Sequence, residues 1–144
     1  AADSGIEKLT DLAGKNVVVQ AASAALDALN NDDNKDLTAS FGSLTENPDY
    51  NTAFMDLEQG AVEAVAIDIG VAQYQIDKRE EGAYVMLSGD DNKLASEQYA
   101  VGFKKGNEEL RDKVQDTLDE MVKDGTFAEI AEKWGLTDSV CLGK

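Results

Sequence analysis

Histidine is absent from these 144 residues, and cysteine occurs once, as Cys141. Without imidazole there can be no Ser-His-Asp triad, no His-ligated zinc and no histidine proton shuttle. A single thiol closes no internal disulfide, and in its small, polar C-terminal setting Cys141 reads as a free thiol that fits either redox compartment. Cations are scarce: 13 Lys and Arg stand against 29 Asp and Glu, a net charge of −16 spread along the whole chain. Such a surface repels phosphate backbones and anionic head groups, which argues against nucleic acid and direct membrane-surface partners. No apolar run approaches the roughly 20 residues of a membrane span. The opening AADSGIEK lacks the basic and apolar regions of a signal peptide, so for an exported parent the targeting segment is expected outside this sequence. There is no Walker loop, GxGxxG, GxSxG or CxxC, and the pairs Asp32-Asp33 and Asp90-Asp91 lack EF-hand spacing; no cofactor or metal is implied.

What is present is a chain with 42% hydrophobic residues, enough for one domain with a proper core, or one domain and an appendage. The organising stretch runs from Leu9 to Leu29. Asp11 to Lys15 is turn-rich, Asn16 to Gln20 is β-branched and apolar, and good helix formers begin at Ala22, which predicts a strand, a tight loop and a helix. Asn30 to Lys35 reads as a polar surface loop, and Leu37 to Leu44 as a short second strand. Asn47-Pro48 has the form of a helix start; Tyr50, Phe54 and Leu57 then share one face, which is read as core, up to Gly60. Ala61 to Asp68 is expected as a strand buried on both faces, Gly70 to Lys78 as a helix, Tyr84 to Leu87 as a strand, and Ser88 to Ser96 as a polar loop.

Glu97 to Phe103 predicts one more strand. Two amphipathic helices follow. Asn107 is placed to cap the first, with a stripe of Leu110, Val114, Leu118, Met121 and Val122 ending at Gly125. Thr126 and Glu129 suggest a capping box for the second, with Phe127, Ile130, Ala131 and Trp134 on its apolar face. Leu136 to Lys144 reads as a poorly ordered tail. Strands alternating with helices at this rhythm imply an α/β fold with a mainly parallel sheet.

Ligands of open α/β sheets collect at the carboxyl ends of strands. If the strands around Val17 to Val19 and Ala64 to Ile67 are parallel neighbours, Gln20 to Ser23 and Asp68 emerge on one edge. Ser23 stands where a helix N-cap is wanted, and its hydroxyl can serve the helix or a bound carboxylate. Asp68 can cap the next helix or receive an ammonium group. Together the two tips match a zwitterion, and from spacing alone both readings of each residue stay open.

The runs IEKLTDLAGKNVVVQAAS and GAVEAVAID, and above all QYAVGFKKGNEELRDKVQDTLDEMVKDGTFAEIAEKWG, resemble extracytoplasmic solute-binding proteins of the polar amino acid type, which feed ABC importers. The resemblance spans roughly Ile6 to Gly135. It implies two α/β lobes joined by crossing strands, with the ligand enclosed between them, and this chain beginning where the second lobe begins. The implied division is a second lobe over 5–97, a returning hinge strand over 98–104, C-terminal helices over 105–135 that pack on the first lobe in the family, and a flexible tail over 136–144. The family's arginine for the α-carboxylate and its aromatic platforms lie in the lobe that the resemblance does not cover.

Ligand contacts carry over only where residues match. The family's Q-x-G-S/T-S/T loop stands here as Gln20-Ala21-Ala22-Ser23-Ala24. Ser23 keeps one hydroxyl, Ala22 replaces the glycine, and Ala24 replaces the second hydroxyl. Asp68 matches the aspartate that receives the ammonium group, and Glu63 stands where Asp is frequent, a difference read as structural. The resemblance implies an amino acid ligand, importer membrane subunits as partners, an extracytoplasmic location at the periplasm or the lipid-anchored cell surface, and no enzymatic role; a few hydrogen bonds set against the cost of immobilising a ligand predict millimolar or weaker binding by this part alone. An uncovered apolar face on 107–134 predicts either a domain-swapped homodimer or helices folded back on their own lobe. Other classes share the scaffold or the strand-end aspartate: a sensor domain of a receptor or kinase, a dehydratase acting on a cyclic amino acid, or a receiver domain, although Gln20-Ala21 stands where a receiver wants an acidic pair.

Overall fold

The computed structural model describes residues 1–143, without the side chain of Asp90; Lys144 at the end of the tail and the Asp90 carboxylate of the second acidic pair lie outside the described residues. Two compact units make up the chain, one over Ala1–Ser96 and one from Glu97 onward.

The first unit is built on three parallel strands, β1 (Asn16–Gln20), β2 (Ser43–Asn47) and β3 (Ala64–Ala66), in the order β2-β1-β3. Val17 lies opposite Leu44 and Ala64, and Val19 opposite Glu46 and Ala66. The run of three valines is buried on both faces because β1 is the central strand, with Val17 at 1% exposure and Val18 and Val19 at 0%. Val17 and Val19 pack with Leu12, Leu29 and Ala66, while Val18 faces Ala53 and Val62. Each such valine contributes about 1.5–3 kcal/mol by leaving water. Helix α1 (Ala24–Asn30) supplies Leu29 to one face of the sheet, and α3 (Tyr50–Glu58) supplies Ala53 to the other.

Several elements differ from the sequence expectation. The polar stretch after α1 is helical, with a 3-10 turn over Asp32–Asn34 running into α2 (Lys35–Ser40). The second strand therefore starts only at Ser43, after Gly42, whose absent side chain admits the Gly14 carbonyl: a Cβ there would lie 2.5 Å from that oxygen. Asn47 is the buried last residue of β2 and donates to Asp56 at 2.7 Å; the helix cap is Asp49, which accepts from the Thr52 N–H at 2.9 Å. β3 keeps only three residues of the expected strand. Helix α4 (Ile69–Asp77) follows it.

No ladder forms over Tyr84 to Leu87 or over Glu97 to Phe103. Propensity makes a strand only where a neighbour offers hydrogen bonds, and none does here among the described residues. Tyr84 instead sets its ring edge-on to Phe54, with centroids 6.0 Å apart, and Arg79 covers Phe54 at 4.3 Å while pairing with Glu58 at 2.7 Å.

The second unit holds α5 (Glu108–Asp124) and α6 (Thr126–Lys133). Asn107 precedes α5 without a side-chain cap bond, and the expected Thr126–Glu129 capping box is absent: Gly125, at φ 90°, turns the chain, and the Thr126 N–H donates to Asp124 at 2.9 Å. Ala131 is buried, whereas Leu110, Ile130 and Trp134 are 47%, 45% and 57% exposed. The segment expected as a loose tail carries a 3-10 turn over Thr137–Ser139, and Gly143 sits so close to Val122 that a Cβ would meet its Cγ1 at 2.6 Å.

Candidate functional site

All three strands point the same way, so their carboxyl ends share one edge of the sheet. At the end of β1, Ala21 donates its N–H to the Asn47 carbonyl at 2.8 Å. Gln20 turns aside, its amide reaching the Pro48 carbonyl at 3.3 Å. Ala22 then takes φ 54°, the one residue other than glycine with a positive φ among those described. That is the left-handed region, where a Cβ is crowded and glycine is the easier occupant.

Ser23 is the N-cap of α1. Its Oγ accepts from the Leu26 N–H at 3.2 Å, and its proton reaches the Gln20 carbonyl at 2.8 Å. Asp68 ends the β3 segment and caps α4, its Oδ1 accepting from the N–H of Gly70 at 2.9 Å and of Val71 at 3.4 Å. Both residues are thus caps, and both stand on the predicted edge. Ala24 opens α1 with no polar side-chain atom.

One residue was read only as core. Tyr50 opens α3 just beyond β2, packing its ring against the Val18, Ala53 and Val62 cluster. Ser23 and Asp68 both lie close enough to bear on the ionisation of its phenol. Burial pushes the phenol above its ordinary value; the Ser23 hydroxyl opposes this and the Asp68 charge adds to it. The available signal was positional: a tyrosine, rather than phenylalanine, at the first helical residue after a strand end. Ser23 after β1, Tyr50 after β2 and Asp68 after β3 thus all follow strand ends on one edge of the sheet.

Glu63 lies at the opposite edge. Its Oε2 accepts from the Asn16 N–H at 2.7 Å and its own N–H donates to the Asn16 carbonyl at 2.9 Å, which completes the start of β1. Two concavities are lined by other residues. One of about 230 Å³ is lined by Val101, Phe103, Lys104, Lys105, Asn107 and Arg111. The other, of about 390 Å³, is lined by Leu29, Asn30, Asp32, Lys35, Thr38 and Ala39. Neither gathers a matched donor and carboxylate from several strand ends, which makes the edge the stronger candidate.

The profile of the bacterial extracellular solute-binding proteins, family 3, matches residues 8–137. The L-cystine-binding protein TcyJ of Escherichia coli strain K12 is 31% identical over 86 residues, 60% of this chain and 31% of TcyJ. The arginine-binding extracellular protein ArtP of Bacillus subtilis strain 168 is 28% identical over 133 residues, 92% of this chain and 49% of ArtP. Among solved structures, an ancestral arginine-binding protein bound to glutamine matches with a TM-score of 0.64 at 31% identity, over 92% of this chain and 56% of that one. The substrate-binding protein of an amino acid ABC transporter matches with a TM-score of 0.65 at 25% identity, over 92% and 55%. The chain thus spans about half the length of ArtP and of these structures, and a smaller part of TcyJ.

Proposed function

The chain belongs to the bacterial extracellular solute-binding proteins, family 3, and from this we propose that the carboxyl edge of its sheet forms one wall of a cleft for a polar amino acid. The α-carboxylate is received by Ser23 and the first-turn N–H groups at Ala24, on the loop formed by Gln20 and Ala22. The α-ammonium group is received by Asp68. The observation that carries this reading is the convergence of the β1 and β3 ends, with a hydroxyl and first-turn N–H groups on one and a carboxylate on the other. In the whole protein the opposite wall comes from the first lobe, and the captured amino acid is handed to the membrane subunits of an ABC importer on the extracytoplasmic side. Arginine and glutamine are the first cargoes to try, since they appear in the names of the similar proteins.

Affinity of this chain alone is weak. Two or three charge-assisted hydrogen bonds contribute about 1.5–3 kcal/mol each. Immobilising the ligand costs at least about 4 kcal/mol, which leaves a millimolar dissociation constant or weaker. In an NMR titration with L-arginine or L-glutamine, the Ser23 and Gly70 amide signals should move together at millimolar ligand. Unchanged signals overturn the edge assignment, and a micromolar constant by calorimetry overturns the half-cleft. Self-association by exchange of residues 107–134 belongs to the same reading; light scattering should give the mass of a dimer, and a monomer mass rejects it.

A further inference from the structure

We propose that Gln75 and Arg79 are positioning residues, which lock α4 onto α3 and so fix where the Asp68 carboxylate points. This rests on the amino acid cleft described above and names what holds its ammonium-receiving end in place. Strand β3 has three residues and Asp68 lies two beyond it, which leaves the direction of α4 to packing. Helix α3 is well anchored: Ala53 is fully buried against Val18 and Val62, and Asn47 at the end of β2 donates to Asp56 at 2.7 Å. Counting back from Gln75 along α4, buried Ala72 is three residues away and Asp68 four more, a spacing that puts all three on one side of the helix.

That side meets α3 through two ties. Gln75 is 7% exposed; its Nε2 donates to the Asn51 Oδ1 at 3.2 Å, and its Oε1 accepts from Arg79 at 2.9 Å. Arg79, just past the end of α4, also donates to the Gln75 carbonyl at 2.6 Å and, through Nε, to Glu58 at 2.7 Å, with its guanidinium over the Phe54 ring. Asn51 and Glu58 stand at opposite ends of α3, about 10 Å apart along its axis. A single tie is a pivot; two at that spacing block both rolling and sliding of α4. A buried amide adds little net stability over an apolar side chain of similar size, but a satisfied polar network specifies one arrangement where apolar contacts admit several. Gln75 therefore sets an orientation, and the residue at the head of the same side of α4 is the carboxylate of the cleft.

The test uses the 144-residue chain with L-arginine and L-glutamine as probes, well below the melting temperature of each variant, so that loss of folded protein does not enter. Gln75→Met keeps the bulk and removes both side-chain bonds. Asn51→Ala removes one tie at an exposed position where Ala is a good helix former. Residual dipolar couplings of the α4 amides, fitted in the frame of β1, read the direction of the helix. Expected in Gln75→Met are α4 couplings that no longer fit the parent orientation and a dissociation constant roughly tenfold weaker, the lower end of what a charge-assisted bond contributes. Asn51→Ala should move both in the same direction and to a smaller extent. Lowered melting temperatures with either the α4 couplings or the affinities unchanged overturn the positioning role and leave the cleft standing, since a merely stabilising contact does not move the two together. Should Gln75→Met fail to fold, Asn51→Ala separates these outcomes. A parent chain whose Ser23 and Gly70 amides respond to neither amino acid overturns the cleft and this role with it.

Discussion

Ala21 gives its N–H to the carbonyl of Asn47 at 2.8 Å, carrying the β1–β2 pairing one step past the last strand residue. The chain must turn away immediately afterwards to start α1, and the turn falls on Ala22 at φ 54°.

Ala22→Gly is therefore expected to stabilise the fold. A non-glycine residue held at positive φ costs roughly 1–2 kcal/mol, part of which glycine returns through its freer unfolded chain, for a net gain of about 0.5–1 kcal/mol. Urea unfolding should show a higher midpoint with an unchanged slope.

Asp68 carries two duties that substitution can separate. Asn keeps an oxygen for the Gly70 and Val71 N–H groups, while Ala removes it. Asp68→Ala should lose about 1 kcal/mol of stability through the cap and Asp68→Asn much less. Both should lose the response to amino acids in the NMR titration, because both lose the charge. Retained binding in Asp68→Asn would show that the carboxylate serves the helix alone.

Gly42→Ala should be costly for a steric reason. The new Cβ would stand 2.5 Å from the Gly14 oxygen and 3.0 Å from its carbon, both backbone atoms of the turn that leads into β1, which cannot swing aside. A loss of about 1–3 kcal/mol is expected from such overpacking, measured by thermal or urea unfolding.

Acid should weaken the start of α3. The Thr52 N–H holds the Asp49 carboxyl below its ordinary 3.8, with the Thr52 hydroxyl assisting against a modest opposing effect of burial. The stabilisation is complete above the unfolded value and disappears as pH falls through the lower folded one. Unfolding curves between about pH 5 and pH 2 should therefore be less pH-dependent in Asp49→Asn than in the parent.

Alkali acts on Tyr50 in the opposite sense. Its phenol is raised above 10.0, chiefly by burial, so the neutral form is favoured in the fold. That contribution is whole below the unfolded value and is lost as pH climbs toward the folded one. Tyr50 should ionise late in an absorbance titration, and Tyr50→Phe should remove that late step.

The legible parts of the chain were those where composition changes abruptly. Asn16 to Gln20 followed by an alanine-rich run leaves little choice but strand and helix, and the edge shared by Ser23 and Asp68 followed from two such units in parallel. The stretch from Asn30 to Ser40 misled because its Asn and Asp residues favour turns and helix starts alike, and here one 3-10 turn feeds a helix. YVML and EQYAVGF have the residues of strands, yet pairing depends on what lies alongside, which local pattern does not contain. Tyr50 was hidden by a true observation: it does pack on the core, beside Leu57, against Val18, Ala53 and Val62. An aromatic ring with a hydroxyl can satisfy packing and chemistry at once, and periodicity detects only the first.

Ser23 and Asp68 are each tied by hydrogen bonds to the first turn of the helix they cap. Freezing side chains is a large share of the entropy lost in most recognition events, about 0.5–1.5 kcal/mol for each mobile group. At this edge folding has already borne that loss, so capture of a small molecule draws chiefly on the ligand's own freedom. A new cargo could then be accommodated by changing what faces these two tips, with the tips themselves left as they are.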